Sequence, residues 1–520
     1  MISQKAVAAW LAREFTSFEW MKRLDRPTLI REMKQFRVPP TFKTEDWLHQ
    51  LVCHYIGMCE PRFLFLLDMG LGKSKIISDL VTQAQREKRL KRALVTVPRL
   101  VNIDSWMDAL REHSDLEPNP VMVEDIEEKR YRLLHPTGDI TVIDYMGLQW
   151  ALCRKVKAGK GKMRLEPDPE LVAKAQRLYN FIGIDESHKL RNAGTLWFDL
   201  VDQIATPADR VYALTGTLFG KSPEEMWAQF KLVDRGETFG ENKGLFHGAF
   251  FTAKPHPFRR EPIYTYNKAK TRQLNKMIAH RSMRYDEDEV SDLPPMVRHK
   301  IVMDMAVDQH EHYLRALEGV INHGGGDPRA LDAPWLRMRQ LTSGYLKWRD
   351  ANGDHIIHFK HNPKLEMLMR LVDEASGSSK VIICYDYTDT GALICKRLKE
   401  EGFDHEWFYG GTKNKPASRR RFLDDPECRV FVMNSEAGGT GNDGLQKVAK
   451  YMIFYESPTP VITRKQTEKR IHRAGMAGQA FVYDLVMRKT VDSGILKALD
   501  EGRDLYADVM SGRKRGLTGD

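Results

Sequence analysis

The segment Phe63-Leu64-Phe65-Leu66-Leu67-Asp68-Met69-Gly70-Leu71-Gly72-Lys73-Ser74 leaves this chain few folds to choose from. Its apolar run reads as a buried strand, its glycines as a tight turn, and Ile76, Ile77, Leu80, Val81 and Ala84 as one face of a following helix. A strand, a glycine turn and a helix opened by lysine and a hydroxyl is the order that cradles a phosphate chain. Gly70 and Gly72 let backbone N–H groups of the Met69–Gly72 loop, Leu71 among them, approach phosphate oxygens. Lys73 would neutralise the terminal phosphates, Ser74 would offer an oxygen to Mg²⁺, and the helix would turn its positive end toward both. The stricter form of this loop has a further glycine where Leu67 stands, so alone the turn also suits an ordinary strand-helix connection.

The same rhythm recurs. Ala93–Val97, Ile140–Ile143, Phe181–Ile184 and Val211–Leu214 are short apolar runs separated by periodic stretches, and the pattern resumes at Val381–Cys384, Val430–Met433, Met452–Tyr455 and Phe481–Leu485. That alternation predicts α/β architecture with parallel sheets. At 520 residues the chain exceeds what one core serves. The expected parts are a basic helical extension over 1–39, closed by Val38-Pro39-Pro40, a first α/β lobe over 40–235, an inter-lobe segment over 236–295 ending in Asp292-Leu293-Pro294-Pro295, and a second lobe over 296–520 opened by helical elements.

No apolar run approaches the ~18 residues that span a bilayer, and the start of the chain lacks a signal-peptide core. The six cysteines form no CxxC pair and have no histidines at zinc spacing, which suggests reduced thiols and an intracellular, cytoplasmic setting. A formal charge of +10 favours a polyanionic partner.

Several clusters carry chemistry. Asp185-Glu186-Ser187-His188 places two carboxylates at a strand end, where parallel sheets bind ligands. Asp185 would join Ser74 in a Mg²⁺ site, and Glu186 would orient and deprotonate an attacking water. Leu214-Thr215-Gly216-Thr217 ends the next strand, where its hydroxyls could sense a terminal phosphate. In the second half, Asn434-Ser435-Glu436-Ala437-Gly438-Gly439-Thr440-Gly441 is a glycine-rich loop fit for a phosphate of a nucleotide or of a nucleic-acid backbone. Gln466, Arg470 and Arg473 share one face if that stretch is helical, and the two arginines could supply transition-state charge that the first half lacks. The basic segment Arg154-Lys155-Val156-Lys157 through Arg164 reads as a mobile phosphate-contacting loop or as a merely solvated one.

Taken together, these residues resemble superfamily two helicases, and among them the Swi/Snf-like DNA translocases, especially the compact versions encoded by bacteriophages. Asp68 through Ser74 looks like motif I of that family, whose loop also lacks the first glycine, Val97-Pro98 like motif Ia, Asp185 through His188 like motif II, and Leu214 through Thr217 like motif III. Lys380 through Tyr387 looks like motif IV, Ser435 through Gly441 like motif V, and Gln466 through Arg473 like motif VI.

The resemblance implies two RecA-like lobes of the P-loop NTPase fold with Mg·ATP between them. It implies catalytic roles for Lys73, Glu186, Arg470 and Arg473, and nucleotide contacts from Gln50, Met69, Gly70, Leu71, Gly72, Lys73, Ser74, Asp185, Gly441 and Gln466. Gln50 would read adenine, with Phe42 or Arg62 near the base. DNA, more so as duplex, is the implied partner, with Ser435, Gly438, Gly439, Arg154, Lys155 and Lys157 as candidate contacts.

Two segments depart from the family pattern. Asn442-Asp443-Gly444-Leu445 stands where the family continues Leu-Asn-Leu, and Ala474 through Gln479 lengthens the usual turn after motif VI. The large insertions of chromatin remodellers are not evident, so a bare motor is expected. Unwinding against duplex translocation, RNA as the track, and a hydrolysis-deficient DNA-binding scaffold remain as alternatives.

Overall fold

The structure, a computed structural model, describes residues 7–510 apart from 8–9, 69, 159–161, 217, 219–221, 256–261, 291–292, 322–328, 351–352, 439–443 and 474. The chain divides into two compact units, Met1–Ser291 and Asp292–Asp520.

The first unit is built on strands β1 (Arg62–Leu67), β2 (Ala93–Val97), β3 (Pro118–Pro120), β4 (Ile140–Asp144), β7 (Phe181–Ile184), β8 (Arg210–Thr215) and β11 (Ser282–Tyr285). They form one sheet in the order β11-β1-β8-β7-β2-β4-β3, and every pairing is parallel. Successive residues of a strand point to opposite faces, so a sheet covered on both sides needs unbroken apolar runs. β1 shows this: Leu64 and Leu66 enter the core on one face, Phe63, Phe65 and Leu67 the core on the other.

Two antiparallel hairpins are added to this unit, β5 (Cys153–Ala158) with β6 (Lys162–Pro167) and β9 (Phe251–Lys254) with β10 (Ile263–Tyr266). The first corrects the reading of 154–164 as a loop. Its turn glycines, Gly159 and Gly161, lie outside the described residues, but its two strands are in register from Cys153↔Pro167 to Ala158↔Lys162.

The stretch 236–295, expected to join the lobes, is mostly part of the first unit. It contributes the helices Lys243–Phe250 and Thr271–Arg281, and then β11, which pairs with β1 from Leu64↔Ser282 to Leu67↔Tyr285. Its strand is short and ends a polar, basic stretch, so no apolar run announced it. Within the N-terminal extension, the helix Arg26–Met33 is capped by Asp25, which accepts from the Thr28 N–H, and Leu29 and Met33 share a core with Leu51 and Phe63. That helix is therefore part of the lobe's packing.

The second unit has strands β12 (Val297–Met303), β15 (Lys380–Tyr385), β16 (His405–Phe408), β17 (Val430–Asn434), β18 (Ala449–Phe454) and β19 (Phe481–Met487), again all parallel, in the order β12-β19-β18-β15-β17-β16. A hairpin of β13 (Tyr345–Asp350) and β14 (Gly353–His358) precedes β15. The helix Arg329–Thr342 is tied to this unit by Arg339, which is 1% exposed and donates to Asp386 and to the Ser457 carbonyl, each at 3.0 Å. The fold is thus α/β with two parallel-sheet lobes, as the strand rhythm predicts.

Candidate nucleotide site

β1 ends in the buried Leu67, the chain turns through Asp68 to Gly72, and the helix Lys73–Arg86 begins. Both glycines have positive φ, +87° at Gly70 and +72° at Gly72, which is the conformation that favours glycine. Gly72 also lacks room: a Cβ there would lie 2.2 Å from Gln50 Nε2. Gln50 is itself buried, its Oε1 accepting from the Trp47 N–H at 2.9 Å and its Nε2 donating to the Leu71 carbonyl at 3.4 Å. His49 adds a ring-nitrogen contact to the same carbonyl at 2.9 Å. The amide expected to read adenine braces the loop in this structure. On the other flank, the Asp68 N–H donates to the Tyr285 carbonyl of β11 at 3.3 Å.

Lys73 Nζ donates to the Leu67 carbonyl at 3.2 Å and stands 3.3 Å from Glu186 Oε1. Sequence distance is thus closed by the sheet, which brings the ends of β1 and β7 to one edge. Glu186 adopts a left-handed backbone, φ +48°, and its other oxygen lies 3.1 Å from His188 Nδ1. His188 Nδ1 is also 3.1 Å from Thr215 Oγ1 at the end of β8, which links the acidic pair to the Thr215-Gly216 strand end. Ser187 is buried and donates to Gln229 at 2.8 Å. Thr217 lies outside the described residues. A Cβ on Gly216 would meet the Leu67 carbonyl at 3.2 Å, so this strand end packs directly on the phosphate loop.

The two carboxyl groups are separated by their surroundings. Burial and the neighbouring charge of Glu186 push Asp185 up to about 6, against the pull of Lys73 and of a Trp106 hydrogen bond. Burial also pushes Glu186 upward, but Lys73 and His188 outweigh it and hold it down at about 2. Lys73 and His188 thus hold Glu186 in its ionised form, the form in which a carboxylate can accept a proton.

The donors fit Mg·ATP. A loop with two left-handed glycines and a helix N-terminus suits phosphate oxygens. The Ser74 hydroxyl and the Asp185 carboxylate are hard oxygen donors of the kind Mg²⁺ takes, the rest of its shell coming from phosphate and water. Met69 lies outside the described residues. Phe42 packs edge-on against His54, and Arg62, expected near the base, spends its guanidinium on the Val233 and Ala205 carbonyls at the opposite end of β1.

In the second unit, Gln466 lies in the helix Val461–Glu468, which ends there, and Arg470 and Arg473 follow in successive turns rather than on one helical face. The helix stops where Glu468 is pinned by Arg464 and Arg298, each at 2.8 Å. Arg464 also forks onto both oxygens of Asp484, at 2.6 and 2.8 Å. Arg470 is 3% exposed and Arg473 is half-buried. Ser435 is buried too, its hydroxyl donating to the Tyr385 carbonyl at 3.2 Å, so it anchors the loop from inside. Gly438 closes a short helix, and Gly439 and Gly441 lie outside the described residues. Arg154, Lys155 and Lys157 are exposed along β5.

The sequence reading missed two residues. Trp106, in the helix Val101–His113, donates through Nε1 to Asp185 Oδ2 at 3.0 Å, and the Tyr145 hydroxyl donates to the Asp185 carbonyl at 2.6 Å. Ile103, Trp106, Met107 and Leu110 make an apolar stripe, so Trp106 read as core filling.

The family model for the SNF2-related domain matches residues 4–343. The "Uncharacterized ATP-dependent helicase YqhH" of Bacillus subtilis is 21% identical, covering 94% of this chain and 84% of the relative. The "DNA repair and recombination protein RAD54" of Saccharomyces cerevisiae is 21% identical, and this chain spans 53% of its length. A solved structure titled "Sulfolobus solfataricus SWI2/SNF2 ATPase core in complex with dsDNA" covers 93% of this chain at 20% identity, with a TM-score of 0.40. With the phosphate loop and the acidic pair in a chain whose residues 4–343 match the family model, the chain belongs to the SNF2-related, or Swi2/Snf2, family of ATP-dependent enzymes.

Proposed function

We propose that this chain is a DNA-dependent ATPase that moves along duplex DNA. The observation that carries the reading is the meeting of Lys73 and Glu186 at 3.3 Å beside Asp185, on the edge of one sheet and next to a loop shaped for phosphates. Mg·ATP, when bound, supplies the anhydride whose cleavage drives the motion. Lys73 would leave Glu186 for the terminal phosphates, Ser74 and Asp185 would hold the cation, and the Glu186 carboxylate would accept the proton of an attacking water. Arg470 and Arg473, together with Gln466, would act when the second lobe closes on the first, and opening would alternate the two lobes' grip on the DNA backbone.

Phosphate contacts are the proposed mode of DNA binding, with Arg154, Lys155 and Lys157 on the β5–β6 hairpin and the Gly438–Gly441 loop as contributors. The printed names of the relatives, among them the Bos taurus "DNA annealing helicase and endonuclease ZRANB3" at 23% identity, support DNA over RNA. A bacteriophage source draws no support from the relatives named, which come from cellular organisms. Among the described residues no helix is long and apolar enough to cross a membrane, and all six cysteines are free thiols, in keeping with an intracellular setting.

The test is ATP turnover with duplex DNA, single strands and RNA. Turnover stimulated by duplex is the expected result, and no stimulation by any nucleic acid would overturn the reading. Triplex displacement without strand separation would mark a translocase, and strand separation a helicase. Affinity for duplex should fall with salt at a log-log slope of about −0.9 per phosphate contacted, and a flat response would exclude phosphate tracking.

A further inference from the structure

We propose that Trp106, assisted by Tyr145, fixes the pose of the Asp185 carboxylate and thereby makes the site prefer Mg²⁺ to larger divalent cations. The inference rests on the reading above that Asp185 is a metal ligand. Both carboxylate oxygens of Asp185, its carbonyl and its N–H each have a hydrogen-bond partner. Oδ2 accepts from the Trp106 indole at 3.0 Å, Oδ1 from the Glu186 N–H at 2.9 Å, the carbonyl from the Tyr145 hydroxyl at 2.6 Å, and the Asp185 N–H donates to the Thr96 carbonyl at 2.9 Å. Trp106 and Tyr145 are 3% and 1% exposed, so neither clamp is shared with bulk water.

An indole N–H can only donate. Trp106 sits on an apolar helix face, where an N–H left unpaired would be costly. Another buried tryptophan, Trp227, solves the same problem with a backbone carbonyl, that of Gly240 at 3.1 Å. Trp106 instead uses a carboxylate of the site, which couples the helix after β2 to that carboxylate's orientation.

The consequence follows from ion size. Mg²⁺ demands near-octahedral oxygens at about 2.0–2.1 Å, whereas Ca²⁺ accepts about 2.3–2.6 Å and often takes a carboxylate through both oxygens. A carboxylate with one oxygen tied to Trp106 and the other to the Glu186 N–H cannot swing both lone-pair edges toward an ion. It presents one oxygen in a fixed direction, the arrangement that a small, rigid ion uses best. Hydrogen-bond partners of ligating carboxylates typically contribute 10–100-fold in metal affinity.

The test titrates Mg²⁺, and separately Ca²⁺, against the fluorescence anisotropy of a labelled ATP analogue bound to the full chain. Trp106→Phe keeps an aromatic side chain and removes the donor. Its Mg²⁺ midpoint should rise about 10-fold or more, its Ca²⁺ midpoint less, and its cation-free nucleotide affinity should not change. Tyr145→Phe should lower the Mg²⁺ to Ca²⁺ preference in the same direction and serves if Trp106→Phe does not fold. Asp185→Asn separates the two ideas. If it leaves both midpoints unmoved, the metal-ligand reading fails. If it moves them while both ring variants leave the Mg²⁺ to Ca²⁺ ratio at the wild-type value, the clamp is refuted.

Discussion

Replacing Gly72 by alanine asks what holds the phosphate loop in shape. At φ +72° an L-residue is disfavoured by about 1–2 kcal/mol. The new Cβ would also lie 2.2 Å from Gln50 Nε2, closer than any real contact. A glutamine amide is the far end of a flexible side chain, but Gln50 is 5% exposed and bonded to the Trp47 N–H and the Leu71 carbonyl. To clear the methyl it must give up one or both bonds, about 0.5–1.5 kcal/mol each, with the 3.4 Å contact at the weak end. Gly72→Ala should therefore cost about 2–4 kcal/mol in the native background and only the backbone share, about 1–2 kcal/mol, when Gln50 is already alanine. A double-mutant cycle, read from denaturant melts of the first unit, should show a coupling near 1 kcal/mol or above. The companion assay is KM for ATP and GTP: as a loop brace, Gln50→Ala should raise both together. Additive costs in the cycle would show that Gln50 does not fill the space beside Gly72, and a rise confined to ATP would show that Gln50 reads the base.

Three further outcomes are expected. Glu186→Gln should abolish phosphate release while ATP still binds, as measured by anisotropy of a labelled analogue, and residual turnover near wild type would remove Glu186 as the base. Lys364 is fully buried with Nζ 2.6 Å from Asp492 Oδ2, so Lys364→Met strands a buried carboxylate and should destabilise the second unit by about 3–5 kcal/mol; a loss under about 1 kcal/mol in chemical denaturation would mean the ion pair is not stabilising. Lys75 bridges Asp46 at 2.5 Å and Asp79 at 2.9 Å, and burial together with Asp46 pushes Asp79 up to about 7. Because the folded state then holds a proton that the unfolded chain has released, stability should fall as pH rises from about 4 to about 7 and level off above. Asp79→Asn should flatten that slope, and an unchanged slope in melts across this range would place its origin elsewhere.

Apolar runs announced nine strands because strands buried on both faces must be apolar throughout, as in β1, β2 and β7. Strands with one open side were not announced. β12 mixes exposed and half-buried residues with none buried, and β5 carries Arg154, Lys155 and Lys157 in what reads as a solvated run. Within the site, residues whose chemistry is their side chain were legible: Lys73, Ser74, Asp185 and Glu186 declare themselves by type and spacing. Residues whose role is a contact were not. Nothing in Trp106, one apolar residue of a stripe, points to a carboxylate 79 positions away. The helical spacing of Gln466, Arg470 and Arg473 misled because the helix ends at Glu468, between Gln466 and the two arginines.

The strand β11 acquires a mechanical meaning from its place in the chain. It is the last element of the first sheet before the polypeptide passes into the second unit, and its final residue, Tyr285, receives the N–H of Asp68 at the root of the phosphate loop. Tension on the polypeptide beyond Val290 would load the parallel β1–β11 hydrogen bonds in shear, side by side, and with them the bond from the Asp68 N–H to the Tyr285 carbonyl. The tether between the two halves thus leaves from a strand bonded to the root of the phosphate loop, and a pull on it would bear on the turn that shapes the site.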